Sequence, residues 1–193
     1  VGLNASTGKD ITRYVISLPA NRLPLWAALE SDRMAHPVLR EFYKERGVVM
    51  EERRLRTDDS PNGLLYETFT STAFQAHQYG VPTIGWGSDI LSLTPAATEA
   101  FFKTYYGPNN ATVAIVGDIN PKEVIALIEQ TFGTWSPMPH VVTPGAQPAH
   151  RAADAARIVL VDRPDSVQSE IIVAGPGPDR RVSPAWAPYP VLG

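Results

Sequence analysis

The placement of proline constrains this chain more than any other feature of its sequence. Proline fixes φ and lacks an amide donor, so it is confined to first helical turns, tight turns and strand ends. Eight of the 18 prolines lie in residues 1–136, and ten crowd residues 137–193. Regular elements punctuated by single prolines are therefore expected in the first stretch. A linker is expected over residues 137–156, where proline density breaks both helix and ladder.

The spacing of apolar residues fills in the elements. Ile11 to Leu18 alternates apolar and polar residues, as a strand does, and Pro19 closes it. Val1 to Thr7 is its expected partner, with the turn over Ser6 to Asp10. Asn21 caps a helix over Leu23 to Ala35, with Pro24 in the first turn and Pro37 at the end. A long charged helix is expected over Val38 to Thr57, stopped at Asp58–Gly63, and a third over Leu64 to Ala76. Residues 77–92 read as irregular, broken by Gly80, Pro82, Gly85 and Gly87. Thr94-Pro95 opens a helix to Tyr106, and Asn120-Pro121 opens another to about Phe132. Thr112–Val116, Ile158–Val161 and Val167–Ala174 read as strands, and Pro184 as the start of a last helix. Strands and helices do not alternate regularly. The expected class is therefore α+β, a mixed or antiparallel sheet with helices packed on one face.

Composition excludes several functions. A net charge of -3 offers no basic footprint, so nucleic acid is not an expected partner. No run of about 18 apolar residues exists to span a membrane. Cysteine is absent, which removes disulfides, thiolate metal ligands and thiol nucleophiles. Residues 1–10 lack the basic start and apolar core of a signal peptide, so the protein is cytosolic or a targeting segment lies upstream. Gly80, Gly85 and Gly87 lack the lysine and hydroxyl residue of a phosphate loop.

The chemistry concentrates between Glu41 and Arg56. On a helix, Phe42, Glu45, Val48, Val49, Glu52 and Leu55 share one stripe. Glu45 and Glu52 are two turns apart, about 10.5 Å along the axis. Both carboxylates stand where the apolar pattern calls for a hydrophobe. If buried, they need an arginine, a hydrogen-bond network or a metal ion. If instead the stripe is a wide surface, Glu52 pairs with Arg56 and Glu45 is solvated.

Glu45-Arg46, two valines and Glu52 resemble the second half of the inverted zinc motif of the pitrilysin, insulin-degrading enzyme and mitochondrial processing peptidase family. The flanking text is similar in order and spacing. Asn4-Ala5-x-Thr7, Asp10-x-Thr12-x-Tyr14, Asp59-x-Pro61, His77-x-Tyr79-Gly80-x-Pro82, Tyr106-x-Pro108-x-Asn110, Val116-Gly117-Asp118, Gln168 and Gly175-Pro176 all take part. The resemblance implies that Glu52 is a zinc ligand and that Glu45 supports the site from behind it. It also implies that Asn4 and Ala5 lie on an edge strand to which a peptide substrate adds. Residues 1–136 would be the later part of a zinc-site peptidase domain, and residues 157–193 the start of a second homologous domain.

The family's H-x-x-E-H helix does not occur in the sequence. The four histidines are His36, His77, His140 and His150, and no two stand three or four apart. A catalytic zinc normally needs three protein ligands. This chain alone is therefore expected to hold no zinc at useful affinity and to cut no peptide. Either it is an internal fragment of a zinc endopeptidase or oligopeptidase, or it belongs to a non-catalytic subunit that grips peptides or scaffolds a homologous partner. Retention of both glutamates favours the fragment. A fragment would expose apolar surface and self-associate. A bacterial periplasmic or envelope location is the expected setting.

Overall fold

A computed structural model describes residues 2–139, 157–164 and 166–175. Eight regular elements follow one another: β1 (Gly2–Thr7), β2 (Thr12–Ser17), α1 (Leu23–Ala35), α2 (Phe42–Arg53), α3 (Pro61–Ala73), α4 (Gly87–Ser92), α5 (Pro95–Tyr105) and α6 (Pro121–Phe132). Short 3-10 turns and one π-helical turn, Arg54–Asp58, join them. The class is α+β, as expected, with far more helix than sheet among the described residues.

The chain divides into two compact units, one of residues 1–53 and 83–145, the other of residues 54–82 and 146–193. In the first unit, β1 and β2 form an antiparallel hairpin in the register Ala5 to Tyr14 and Asn4 to Val15. The Gly8 amide donates to the Ile11 carbonyl at 2.8 Å and closes the turn. Every described residue of β1 is exposed. The hairpin is thus not held by an apolar sandwich.

α1 packs on α6, with the rings of Trp26 and Phe132 6.1 Å apart and Ala27 fully buried. α6 presents Val124, Leu127 and Ile128 inward at helical spacing. Its cap is doubly made. The Asn120 side chain accepts from the Lys122 amide at 3.1 Å and donates to Glu123 at 2.9 Å. Thr94 caps α5 through the Ala97 amide, with Pro95 behind it. At Gly107 the chain passes so close to Met138 that a Cβ would overlap the methionine side chain. Asn109 seals the approach with two bonds to the Met138 backbone, 3.0 and 3.1 Å.

In the second unit α3 packs on the π-helical turn. Ser60 caps α3 through the Gly63 amide at 3.1 Å. A Cβ at Gly63 would overlap the Arg56 carbonyl, so only glycine permits this contact. Arg163 donates to the carbonyls of Asp58 and Asp59 at 3.3 and 3.0 Å.

Several boundaries differ from the sequence reading. α2 begins at Phe42, because Glu41 adopts φ 58 and its carbonyl accepts from the amides of Lys44 and Glu45. A left-handed residue cannot continue a right-handed helix, so Val38–Glu41 stay outside it. α2 ends at Arg53, where the bonding widens to the π pattern. α3 starts three residues earlier than expected, since Ser60 and Pro61 start this helix rather than stop the one before. α4 occupies part of the stretch read as irregular. Thr112–Val116, Ile158–Val161 and Val167–Ala174 form no ladder among the described residues, because a strand requires main-chain bonds to a neighbour and the described ladder joins only β1 and β2. The final helix expected from Pro184 lies outside the described residues, as does most of the linker.

Candidate metal and peptide site

Two sets of predicted site residues fall in the first unit: Glu45 and Glu52 on α2, and Asn4 and Ala5 on β1. α2 is held by two arginines together with the half-buried Phe42, Val49 and Met50. The Arg53 side chain is buried, 7% exposed, and donates to the Gly85 carbonyl at 2.8 Å. Arg46, seven residues earlier, donates to the carbonyls of Leu91 and Leu93 at 2.9 and 3.1 Å. The Leu91 carbonyl belongs to the last turn of α4, which leaves such groups without helical partners. A guanidinium presents several donors in a fixed plane and is well suited to collect main-chain oxygens. α2 therefore packs on α4 through charge-assisted bonds.

This geometry corrects the expected inward stripe. The side that packs runs through Phe42, Arg46, Val49, Met50 and Arg53, all half-buried or buried. Glu45 is exposed, as are Val48 and Leu55, and Glu52 is half-buried. The expected and observed stripes differ by about one residue, roughly 100° of rotation. Phe42 and Val49 lie on the shared margin and fit both. The signal that could have separated them was present: Arg46 and Arg53 have the same seven-residue spacing as the glutamates, and Met50 fits only the arginine stripe. A long arginine buries its stem while its head finds acceptors, so it can fill a core position.

Glu45 sits in the first turn of α2 and Arg53 in the last, an arrangement that suits the helix dipole. Among the described residues no group of three or more His, Asp or Glu side chains could hold a metal ion. His36 is exposed, 3.0 Å from Asp32 through Nδ1. His77 caps a turn, its Nδ1 accepting from the Tyr79 amide at 3.1 Å. His140 and His150 lie outside the described residues.

At the hairpin edge the Asn4 side-chain oxygen accepts from the Ala5 amide at 2.8 Å. The described residues pair β1 on one side alone, with β2. Behind it, the Tyr14 hydroxyl lies 3.2 Å from that of Tyr106. Arg33 covers the Tyr14 ring at 4.2 Å, and two bonds from its Nε to Glu30, 3.1 and 3.3 Å, orient it. Burial pushes the Tyr106 phenol up to about 12, and the bond to Tyr14 adds to the shift. The Arg33 guanidinium is held above its usual range, chiefly by the bond to Glu30. Nothing in the sequence spacing joins residues 14, 33 and 106; only the fold does.

Known proteins resemble this chain in sequence and in fold. The profile of the peptidase M16 inactive domain matches residues 92–193. The chain is 37% identical over 174 residues to the zinc protease PqqE of Helicobacter pylori, covering 89% of this chain and 39% of that protein. The crystal structure of a protease from Helicobacter pylori superposes with a TM-score of 0.68 at 38% identity, over 78% of this chain and 36% of the other. The first half of the periplasmic protease PqqL from Escherichia coli superposes with a TM-score of 0.66 at 27% identity, over 78% and 33%. The chain spans about two-fifths of the length of the curated relatives it matches.

Proposed function

Because the chain belongs to the peptidase M16 family of pitrilysin-like proteins, we propose that it is an internal part of a zinc-dependent endopeptidase or oligopeptidase acting on extended peptides or proteins. The observation that carries this reading is the pair Glu45 and Glu52, two turns apart on a helix whose orientation Arg46 and Arg53 fix from a stripe about 100° away around the axis. In the complete protein Glu52 would be one zinc ligand, with histidines supplied from outside this sequence, and Glu45 would support it. Zinc would polarise the peptide carbonyl and activate water. The residues described here contribute one carboxylate to that chemistry and hold the helix that carries it. β1 would receive the substrate as an added strand at Asn4 and Ala5, the Asn4 oxygen giving way to a peptide carbonyl at the Ala5 amide. Residues 1–136 would complete a zinc-site domain, with 137–156 as linker and 157–193 opening a second domain.

A non-catalytic, peptide-gripping or scaffolding subunit is the second reading. It is favoured by the description of the matched profile as an inactive domain. A homologous partner subunit would then supply the catalysis. In either case the exposed apolar side chains, among them Val116 at 96% and Val167 at 99%, support self-association of this chain when separated. A periplasmic location is proposed on the likeness to PqqL; among the described residues no helix is long and apolar enough to cross a membrane.

Metal analysis separates the readings. The protein extended to the length of its relatives is expected to bind one zinc and to lose it in Glu52→Gln, with peptide hydrolysis lost in parallel. Glu52→Gln with full zinc content and undiminished hydrolysis would overturn the assignment, whereas a folded full-length protein that takes up no zinc would select the scaffold. The 193-residue chain alone is expected to bind zinc no more tightly than its Glu52→Ala variant.

A further inference from the structure

Among the described residues, the edge strand that the proposed function needs buries no side chain of its own. All described residues of β1 are exposed, and a lone two-stranded hairpin is marginal in water. A slip of one residue would turn every side chain of β1 to the other face. Yet a substrate strand must find Asn4 and Ala5 at one fixed position.

We propose that Tyr14, Arg33 and Tyr106 form a clamp that fixes β1 in register for substrate docking, as positioning residues of the peptide edge. This rests on the reading of β1 as the docking edge. Three observations carry it. Tyr14 is the residue directly opposite Ala5 in the ladder, so whatever fixes Tyr14 fixes Ala5. Tyr14 is gripped from two separate helices: Arg33 of α1 lies over its ring, and Tyr106, next after α5, meets its hydroxyl. Both grips are themselves braced. Glu30 holds the guanidinium through both its Nε and its Nη2, and the Tyr106 ring is stacked on Phe102 with centroids 4.5 Å apart and planes 17° apart. Because the Tyr106 amide also donates to the Phe102 carbonyl at 2.8 Å, its ring sits on a rigid helix end. A cation over an aromatic face and a hydroxyl pair tolerate little sliding of the strand between them.

The test uses the full-length protein, an internally quenched fluorogenic peptide long enough to lie along β1, and amide hydrogen exchange of residues 2–7. Tyr14→Phe and Tyr106→Phe should each raise KM about fivefold while kcat stays within about twofold. The double variant should fall well short of the product of the two singles, since both remove the bond between the two hydroxyls. Exchange of residues 2–7 should quicken about tenfold in all three variants while that of α6 is unchanged. Arg33→Lys should recover part of what Arg33→Ala loses. Unchanged exchange in β1, multiplying effects in the double variant, or faster exchange with an unaltered KM would each overturn the clamp. If the unmodified protein cuts no peptide, the peptidase reading fails, and the exchange measurements on the same variants then decide the clamp.

Discussion

α2 and the β hairpin are held in opposite ways. α2 is fixed by arginines that reach main-chain carbonyls, whereas the hairpin is fixed by side chains that grip one another. Carbonyls are present whatever the partner residues are, so Arg46 and Arg53 depend only on the path of the chain through Gly85, Leu91 and Leu93. The tyrosine and arginine cluster depends on the identity of every member. The first anchor is therefore the stronger and the less tunable; the second can be adjusted by single substitutions. A helix that must present a metal ligand at one place suits the first, and an edge that must admit different peptides suits the second.

The largest effect should come from Arg53→Ala. It removes a buried charge-assisted bond, leaves the Gly85 carbonyl unmet and opens a void under α4. A loss of about 2–3 kcal/mol is expected by urea denaturation. A loss below about 1 kcal/mol would remove the contrast, because α2 would then not depend on its arginine.

Tyr106→Phe should cost less, about 1 kcal/mol, as a partly exposed hydroxyl pair does. It carries a pH signature as well. The phenol titrates near 10 when unfolded and is pushed up to about 12 when folded. The folded state therefore keeps its proton while the unfolded state loses it, and stability should fall between pH 10 and 12. Thermal melts across that window should show a steeper decline for the unmodified chain than for Tyr106→Phe. Equal slopes would mean that the hydroxyl is not sequestered at the clamp.

The smallest effect is expected at Glu45→Gln, within about 0.5 kcal/mol, since the side chain is exposed and lies outside the stripe that packs. A strongly destabilised variant would restore the inward stripe expected from spacing and would exchange the roles of the two faces of α2.

Much of the fold was legible because its signals are local. Thr94-Pro95 and Asn120-Pro121 specify helix starts within one turn, and α1 runs over the expected range with Pro24 in its first turn. Arg22 and not Asn21 stands at its N-cap, and no side chain bonds there, because Asn21 lies in a 3-10 turn. The hairpin followed from alternation beside a glycine turn. Where the decisive interaction lay farther off, the reading drifted. Ser60 reads as a stop because a cap and a stop share the same residues. α4 is too short, at six residues, for its period to show. Of the candidate site, the glutamate pair and the Asn4-Ala5 strand were legible through a resemblance. Their orientation was not, because two overlapping stripes on α2 each contain apolar residues.

The sequence by itself determined the caps at Thr94 and Asn120, the presence of the hairpin and the family likeness, all of which are written in residues a few positions apart. The tertiary structure alone decided which face of α2 turns inward and what holds the hairpin. Those choices depend on Gly85, Leu91 and Leu93 meeting Arg46 and Arg53, and on Tyr106 meeting Tyr14 across 92 positions. Helical periodicity shows that a helix has a packing side. Which side that is depends on where a distant segment leaves its carbonyls in need of donors, because an unmet buried carbonyl costs more than a carboxylate left in water.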